Sequence, residues 1–242
     1  METSGVLRRR LQAAGHFAIS ADFLPAEDGS QFPEGERGGH IQDDVFAVLD
    51  YLRRRGLWPD AAIFHPDCTN LTNSAAWAYA DPDFERYPGV GYHQRVQPGT
   101  LTGGARRAAR GEALATVERI DKLDIPKKIV ENPIGALSEL FREPDQIVQP
   151  FMFGDDASKA TCLWLWGLDP VPVPPRSQWA RPRLVQWKGR TVPRYGNQTD
   201  TGQNRLSPGE DRWKERSRTY PGIGAALVAH IVSERRQASL FA

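Results

Sequence analysis

Along this chain, short apolar runs alternate with stretches of helical periodicity, and the runs end in groups able to do chemistry. No other feature restricts the fold as much. "VLRRRLQAAG" (6–15) sets Val6, Leu7 and Leu11 on one side and stops at Gly15, which predicts a short helix. "HFAIS" (16–20) follows as a strand leading to Asp22, and "HIQDDV" as a short strand and turn. "FAVLDYLRRRG" (46–56) is a second glycine-stopped helix, and "AAIFH" (61–65) is a strand expected to be buried. The clearest helix is "ARRAARGEALATVERIDKL" (105–123), with Leu114, Val117, Ile120 and Leu123 at spacing three. "KKIVENP" (127–133) reads as a strand and "IGALSELF" (134–141) as a short helix. "DQIVQPF" and "KATCLWLWGL" read as further strands, the second apolar enough for the interior. "YPGIGAALVAHIVSERR" (220–236) closes with a helix carrying Ile223, Leu227 and Ile231. This order favours an α/β fold, a mostly parallel sheet with helices on both faces.

Residues 24–39 form a loop rich in glycine, proline and charge. Residues 81–104 form a longer loop, expected to act as a lid or a binding loop. From 169 to 212 prolines, glycines and polar residues leave little periodicity, so an irregular insert is expected. The chain thus divides into an α/β core (1–168), the insert (169–212) and a C-terminal segment returning to the core (213–242).

A chain of 242 residues with 40% hydrophobic content can bury a core without metal or disulfide staples. Two cysteines make no disulfide framework, no Cys/His cluster has zinc spacing, and a reducing cytoplasm is the expected compartment. No run approaches the ~18 apolar residues of a membrane span, and no apolar leader opens the sequence. The net charge of +1 does not announce a nucleic-acid binder. Between Arg176 and Arg218, however, Arg and Lys interleave with Trp179, Trp187, Tyr195 and Trp213. Cations meet phosphates and aromatic faces stack on bases, so this mixture suits a polynucleotide surface. A solvated loop with a few core tryptophans has the same composition.

Ligands of parallel sheets sit at the carboxyl ends of the strands. Asp22, Asp44, Cys68 and Glu131 all fall there. Cys68 follows Pro66 in a turn just past a strand, where a thiolate would be a strong nucleophile. A lone cysteine is more often a small apolar residue, and a lone Glu131 would be a cap or a surface ion pair. Together they end neighbouring strands, with Asp22 and Asp44 upstream to hold a ribose or an adenine.

"ETSGVLRRRL", "SADFLP", "HIQDDV", "HPDCTNLTNS", "VENPI", "QPFMFG", "KATCLWLWGL", "GNQTDTGQNRLSP" and "DRWKERSRTYPGI" follow one another over nearly the whole chain. In this order and spacing the chain resembles the small phage-type DNA cytosine-5 methyltransferases. The resemblance implies a Rossmann-like fold, S-adenosylmethionine as methyl donor, and double-stranded DNA as partner of a monomer or dimer. It also implies the cytoplasm, that of the host for a phage protein. Cys68 would add to C6 of a flipped-out cytosine, making C5 carbanion-like. Glu131 would bind N3 and the exocyclic amine, and Asn132 would hold the turn that aims it. Ser4 and Gly5 fall on the first cofactor loop, Asp22 at the ribose hydroxyls, Asp44 at the adenine amine and Pro66 beside the cofactor. Lys159 and Thr161 precede the "CLWL" strand and would face DNA or the target base. Arg212, Lys214, Arg216 and Arg218 lie near a helix N-terminus, which favours phosphate contact. Cys162 is assigned to the core. The insert would be a small target-recognition region of loose or short specificity.

Three departures from that pattern matter. Asp67 stands between Pro66 and Cys68 where relatives carry proline, and its charge should raise the thiol pKa. Met1 stands directly before "ETSG", where relatives carry a central apolar strand. Without that strand the middle of the sheet would expose unpaired backbone groups. Two sources for it are expected: residues upstream of Met1, or "ASLFA" (238–242) within a chain or exchanged in a dimer. Finally, Asp43-Asp44 replaces Gly-Asp, which adds charge near the adenine pocket and removes a glycine. Two alternatives stand beside methylation: a C5-pyrimidine modification with another donor or a nucleotide acceptor, and a catalytically silent DNA-binding relative.

Overall fold

The computed structural model describes residues 3–32, 37–73, 75–206, 215–216 and 218–240, with side chains of the last helix described through Val232. In chain order the elements are α1 (Val6–Ala13), β1 (Ala18–Asp22), β2 (Gly38–Gln42), α2 (Val45–Arg54), β3 (Ala61–Phe64) and α3 (Gly103–Asp121). Then come β4 (Lys127–Pro133), α4 (Leu137–Leu140), β5 (Gln146–Val148), β6 (Thr161–Trp166), β7 (Arg183–Trp187), β8 (Arg190–Arg194) and α5 (Pro221–Leu240). The molecule is mixed α/β. Among the described residues no helix is long and apolar enough to cross a membrane.

The core strands form two sheets, which corrects the expectation of one mostly parallel sheet. β1 and β2 pair in parallel by themselves. The second sheet has the order β3-β4-β6-β5. β3 and β4 are parallel, while β6 is antiparallel to both β4 and β5. Three of its strands therefore run one way and β6 the other.

The alternating side chains of β4 build a core on each face of this sheet. Val130 packs with Phe46 and Leu49 of α2, Val117 and Ile120 of α3, and Trp164 of β6. Ile129 packs on the opposite face with Leu163, Leu165, Ile223 and Leu227. Cys162, Leu163 and Trp164 are fully buried, as "CLWL" predicts. Lys128 is buried too, because its Nζ donates to the carbonyls of Ile120 (3.3 Å), Asp121 (2.7 Å) and Leu123 (2.7 Å) at the end of α3. Ile120 O also accepts from Leu123 N (3.1 Å) and Leu123 O from Ile125 N (2.9 Å), so the ammonium adds a charged donor to carbonyls at the helix end.

β1 and β3 face each other across a cavity of about 880 Å³, lined along the length of both strands. Among the described residues they share no ladder with each other or with a further strand on that side. This explains why β3, expected to be buried, has only Phe64 buried. Val48, Leu49, Leu52 and Ile120 wall the cavity from α2 and α3; Leu7, Leu11 and Ile231 wall it from α1 and α5. Residues 238–240 continue α5 and do not form the strand expected of "ASLFA"; residues 241–242 lie outside the described residues.

The insert is less irregular than its composition suggests. β7 and β8 form a hairpin whose turn residues, Lys188 (φ 50°) and Gly189 (φ 73°), both adopt positive φ. That is the signature of the two-residue turn matching strand twist. The 81–104 loop folds back on itself, with Tyr92 buried and its hydroxyl donating to Ala80 O at 3.0 Å.

Candidate active site

The segment after β3 is tied down at several points. Cys68 O accepts from Leu71 N (3.1 Å) and Thr72 N (3.0 Å), which closes a tight turn. Asp67 Oδ1 accepts from Thr69 N at 2.9 Å inside that turn. Leu71 is fully buried and its carbonyl accepts from Ala136 N at 2.7 Å. Gly135 lies so close to Leu71 O that no Cβ fits. Asn70 O accepts from Tyr79 Oη (2.8 Å) and Arg110 Nε (3.0 Å), and the Arg110 guanidinium lies 3.6 Å over the Tyr79 ring. Cys68, half-buried, is thus held on a fixed loop.

β4 delivers the neighbouring groups by register. Phe64 pairs with Val130, so the next residues, His65 and Glu131, come side by side. His65 Nδ1 lies 2.9 Å from Glu131 Oε2. Asn132, on the opposite face of β4, is 1% exposed and donates from Nδ2 to Pro66 O at 3.1 Å. One strand end therefore aims a carboxylate and also fixes the cysteine loop.

Electrostatics set the two groups apart. Burial alone would raise the Glu131 pKa, but the hydrogen bond and charge of His65, aided by Lys159, hold it below the ordinary value. The Cys68 thiol moves the other way. Burial raises it above 9.0, Asp67 and Glu131 add to the rise, and Lys159 opposes them. Lys159 thus acts on both groups. Cys162 is pushed up to about 11 by burial within β6.

Asp22, Asp44 and Pro66 line the cavity beside the Cys68 loop. Asp22 Oδ1 accepts from Leu24 N at 3.0 Å, closing the turn after β1. Asp44 caps α2, its Oδ1 accepting from Phe46 N (3.0 Å) and Ala47 N (3.2 Å). Asp43 lines the same end of the cavity. Ser4 and Gly5 stand off this wall. Ser4 Oγ accepts from Val6 N at 3.4 Å. Gly5 (φ 65°) lets the chain pass close to the Asp28 carboxylate and the Arg8 and Arg9 guanidiniums. Thr161, expected at a substrate surface, is instead 2% exposed, with Oγ1 donating to Lys159 O at 3.1 Å. Arg218 pairs with Glu27 and Glu215, both at 3.1 Å, and Arg216 is exposed. Arg212 and Lys214 lie outside the described residues.

His65 is the site residue that sequence reasoning missed. Its signal was positional: the first residue past β3 must neighbour the first polar residue after the apolar pair of "KKIVEN" when the two strands pair in parallel. Among the described residues no group of His, Cys, Asp and Glu is placed to hold a metal ion. No protein-family model, curated protein or solved structure matches the chain.

Proposed function

We propose that the protein is a Rossmann-like, S-adenosylmethionine-dependent DNA cytosine-5 methyltransferase, with Cys68 as nucleophile and Glu131 as the base-binding acid. The convergence of Cys68, Glu131 and Lys159 at the carboxyl ends of β3 and β4, beside a cavity edged by carboxylates, carries this reading. The donor set fits the cofactor. Val45 and Phe46 offer an apolar wall for a flat base, and Asp22, Asp43 and Asp44 offer acceptors for hydroxyl and amine donors. S-adenosylmethionine supplies an electrophilic methyl group when bound.

In this reading Cys68 Sγ forms a bond to C6 of an extruded cytosine, and the C5–C6 π pair moves to C5. Glu131 stays ionised near neutral pH and accepts a hydrogen bond from the exocyclic amine; after taking a proton it donates to N3 as the ring gains charge. Lys159 favours the thiolate against Asp67. Once the C5 pair has bonded the methyl carbon, a solvent base takes the C5 proton, the C–H pair re-forms the C5–C6 double bond, and Sγ leaves with the C6–S pair. The β7–β8 hairpin, with Trp187, Lys188, Arg190 and a 70%-exposed Leu184, supplies the basic and aromatic surface that suits DNA.

The raised thiol pKa favours a second reading, a catalytically silent DNA-binding relative. Tritiated methyl transfer to unmodified duplex DNA separates them, with Cys68→Ala as control. Incorporation by the wild type alone supports the enzyme, and equal incorporation by the variant removes Cys68 as nucleophile. DNA binding without S-adenosylmethionine binding in calorimetry supports the silent protein. A nucleoside other than 5-methylcytosine, found by mass spectrometry, assigns a different transferred group.

A further inference from the structure

The stretch "GNQTDTGQNR" (196–205) takes no part in the chemistry proposed above, yet its first residues hold the segment that carries Lys159. Asn197 Oδ1 accepts from Ser158 N at 2.9 Å, and Asn197 Nδ2 donates to Ser158 O at 2.9 Å. A carboxamide has one acceptor oxygen and two N–H donors, so one asparagine satisfies both backbone groups of Ser158, as a neighbouring strand would. Its Nδ2 also donates to Tyr220 Oη at 3.2 Å. Gly196 N donates to Asp156 Oδ1 at 2.8 Å, and a Cβ on Gly196 would strike that carboxylate. Just ahead, Tyr195 stacks on Phe151 with ring centroids 4.4 Å apart. Lys159 N then donates to Gln149 Oε1 at 2.9 Å.

The register of the sheet locates this clamp. Thr161 pairs with Pro133 at the end of β4, so Ser158 and Lys159 lie beyond that end. Gly135, just past Pro133, bridges Thr72 in the cysteine loop. Lys159 therefore stands where the cysteine loop meets the end of β4, in keeping with its charge acting on both Cys68 and Glu131. A cation there favours the thiolate, and the effect falls with distance. A lysine stem is flexible, so the backbone it starts from governs where the ammonium can reach. That backbone is held from the insert. The same turn is tied to the hairpin, since Arg183 of β7 donates to Gln198 O at 2.7 Å and Arg194 of β8 to Asp200 O at 3.1 Å.

We propose that Asn197 is a positioning residue: through the backbone of Ser158 it fixes Lys159 beside Cys68 and Glu131, and so makes the reactivity of the cysteine depend on the insert. The inference stands on the geometry around Cys68 and holds whether or not the protein transfers a methyl group.

Alkylation of Cys68 by iodoacetamide, followed by mass spectrometry from about pH 6 to pH 10, tests it without any activity measurement. Lys159→Met should slow labelling about threefold to tenfold at about pH 8 and move the profile to higher pH. Lys159→Arg keeps the charge and should stay close to wild type. Asn197→Ala should shift the profile in the same direction as Lys159→Met. The double variant should be no slower than Lys159→Met alone, because the asparagine acts through the lysine. Cys162 labels only when the core opens, so its silence certifies each variant as folded. If it labels in Asn197→Ala, Asn197→Ser carries the same comparison. An unchanged profile in the Asn197 variant over a silent Cys162 overturns the proposal. So does an unchanged profile in Lys159→Met, or a double variant slowed by the product of the two single effects.

Discussion

Asp67 acts on Cys68 in two ways that a single substitution separates. Its charge opposes the thiolate, while its Oδ1 holds Thr69 N and shapes the turn. Asp67→Asn keeps the acceptor and removes the charge. Iodoacetamide alkylation of Cys68 near pH 8 should therefore speed up about threefold to tenfold, with its pH profile shifted to lower pH. Buried Cys162 stays silent and serves as the internal control. Glu131 gives a prediction of stability. Its folded pKa lies below the ordinary 4.5, so it binds fewer protons folded than unfolded as the pH approaches that value. The stability it contributes is present above about pH 4.5 and is lost as pH falls through the folded value. Urea midpoints measured from about pH 7 down to pH 3 should fall more steeply for the wild type than for Glu131→Gln. Cys68 and Glu131 were legible in the sequence because each ends an apolar run. His65 was not, because its meaning arises only when two strands are placed in register.

Helix ends give the clearest tests among the elements. Asp44 was assigned to an adenine by resemblance, and the structure shows it capping α2. Asp44→Ala should lower stability by about 1 kcal/mol in chemical denaturation, with Asp44→Asn close to wild type. Lys128 closes the other kind of terminus, that of α3, with three carbonyls on one ammonium. Lys128→Met should cost about 1–3 kcal/mol, because those buried acceptors lose a charged donor. Helix and strand periodicity located α1 to α3 and β3, β4 and β6 within a few residues. The β7–β8 hairpin escaped because its strands are largely exposed and show no polar–apolar alternation, and its only signal was the Lys188-Gly189 pair.

At the scale of the whole molecule, the alternation of elements made the layers legible but concealed the break between the sheets. Which strands share a ladder leaves no mark on the hydrophobic pattern, since side-chain faces and backbone edges are independent. The break makes stability uneven. β1 and β2 are joined to the rest through α1 against α5 and a few contacts from α2, whereas β4 and β6 are locked in the centre of a four-stranded sheet. Exchange in mild urea should show β1 and β2 opening at lower free energy than β4 and β6. A uniform opening energy across both sheets would contradict this. At any moment a fraction of the molecules thus has the β1–β2 pair open over an intact four-stranded sheet, so a protease would meet the chain there first.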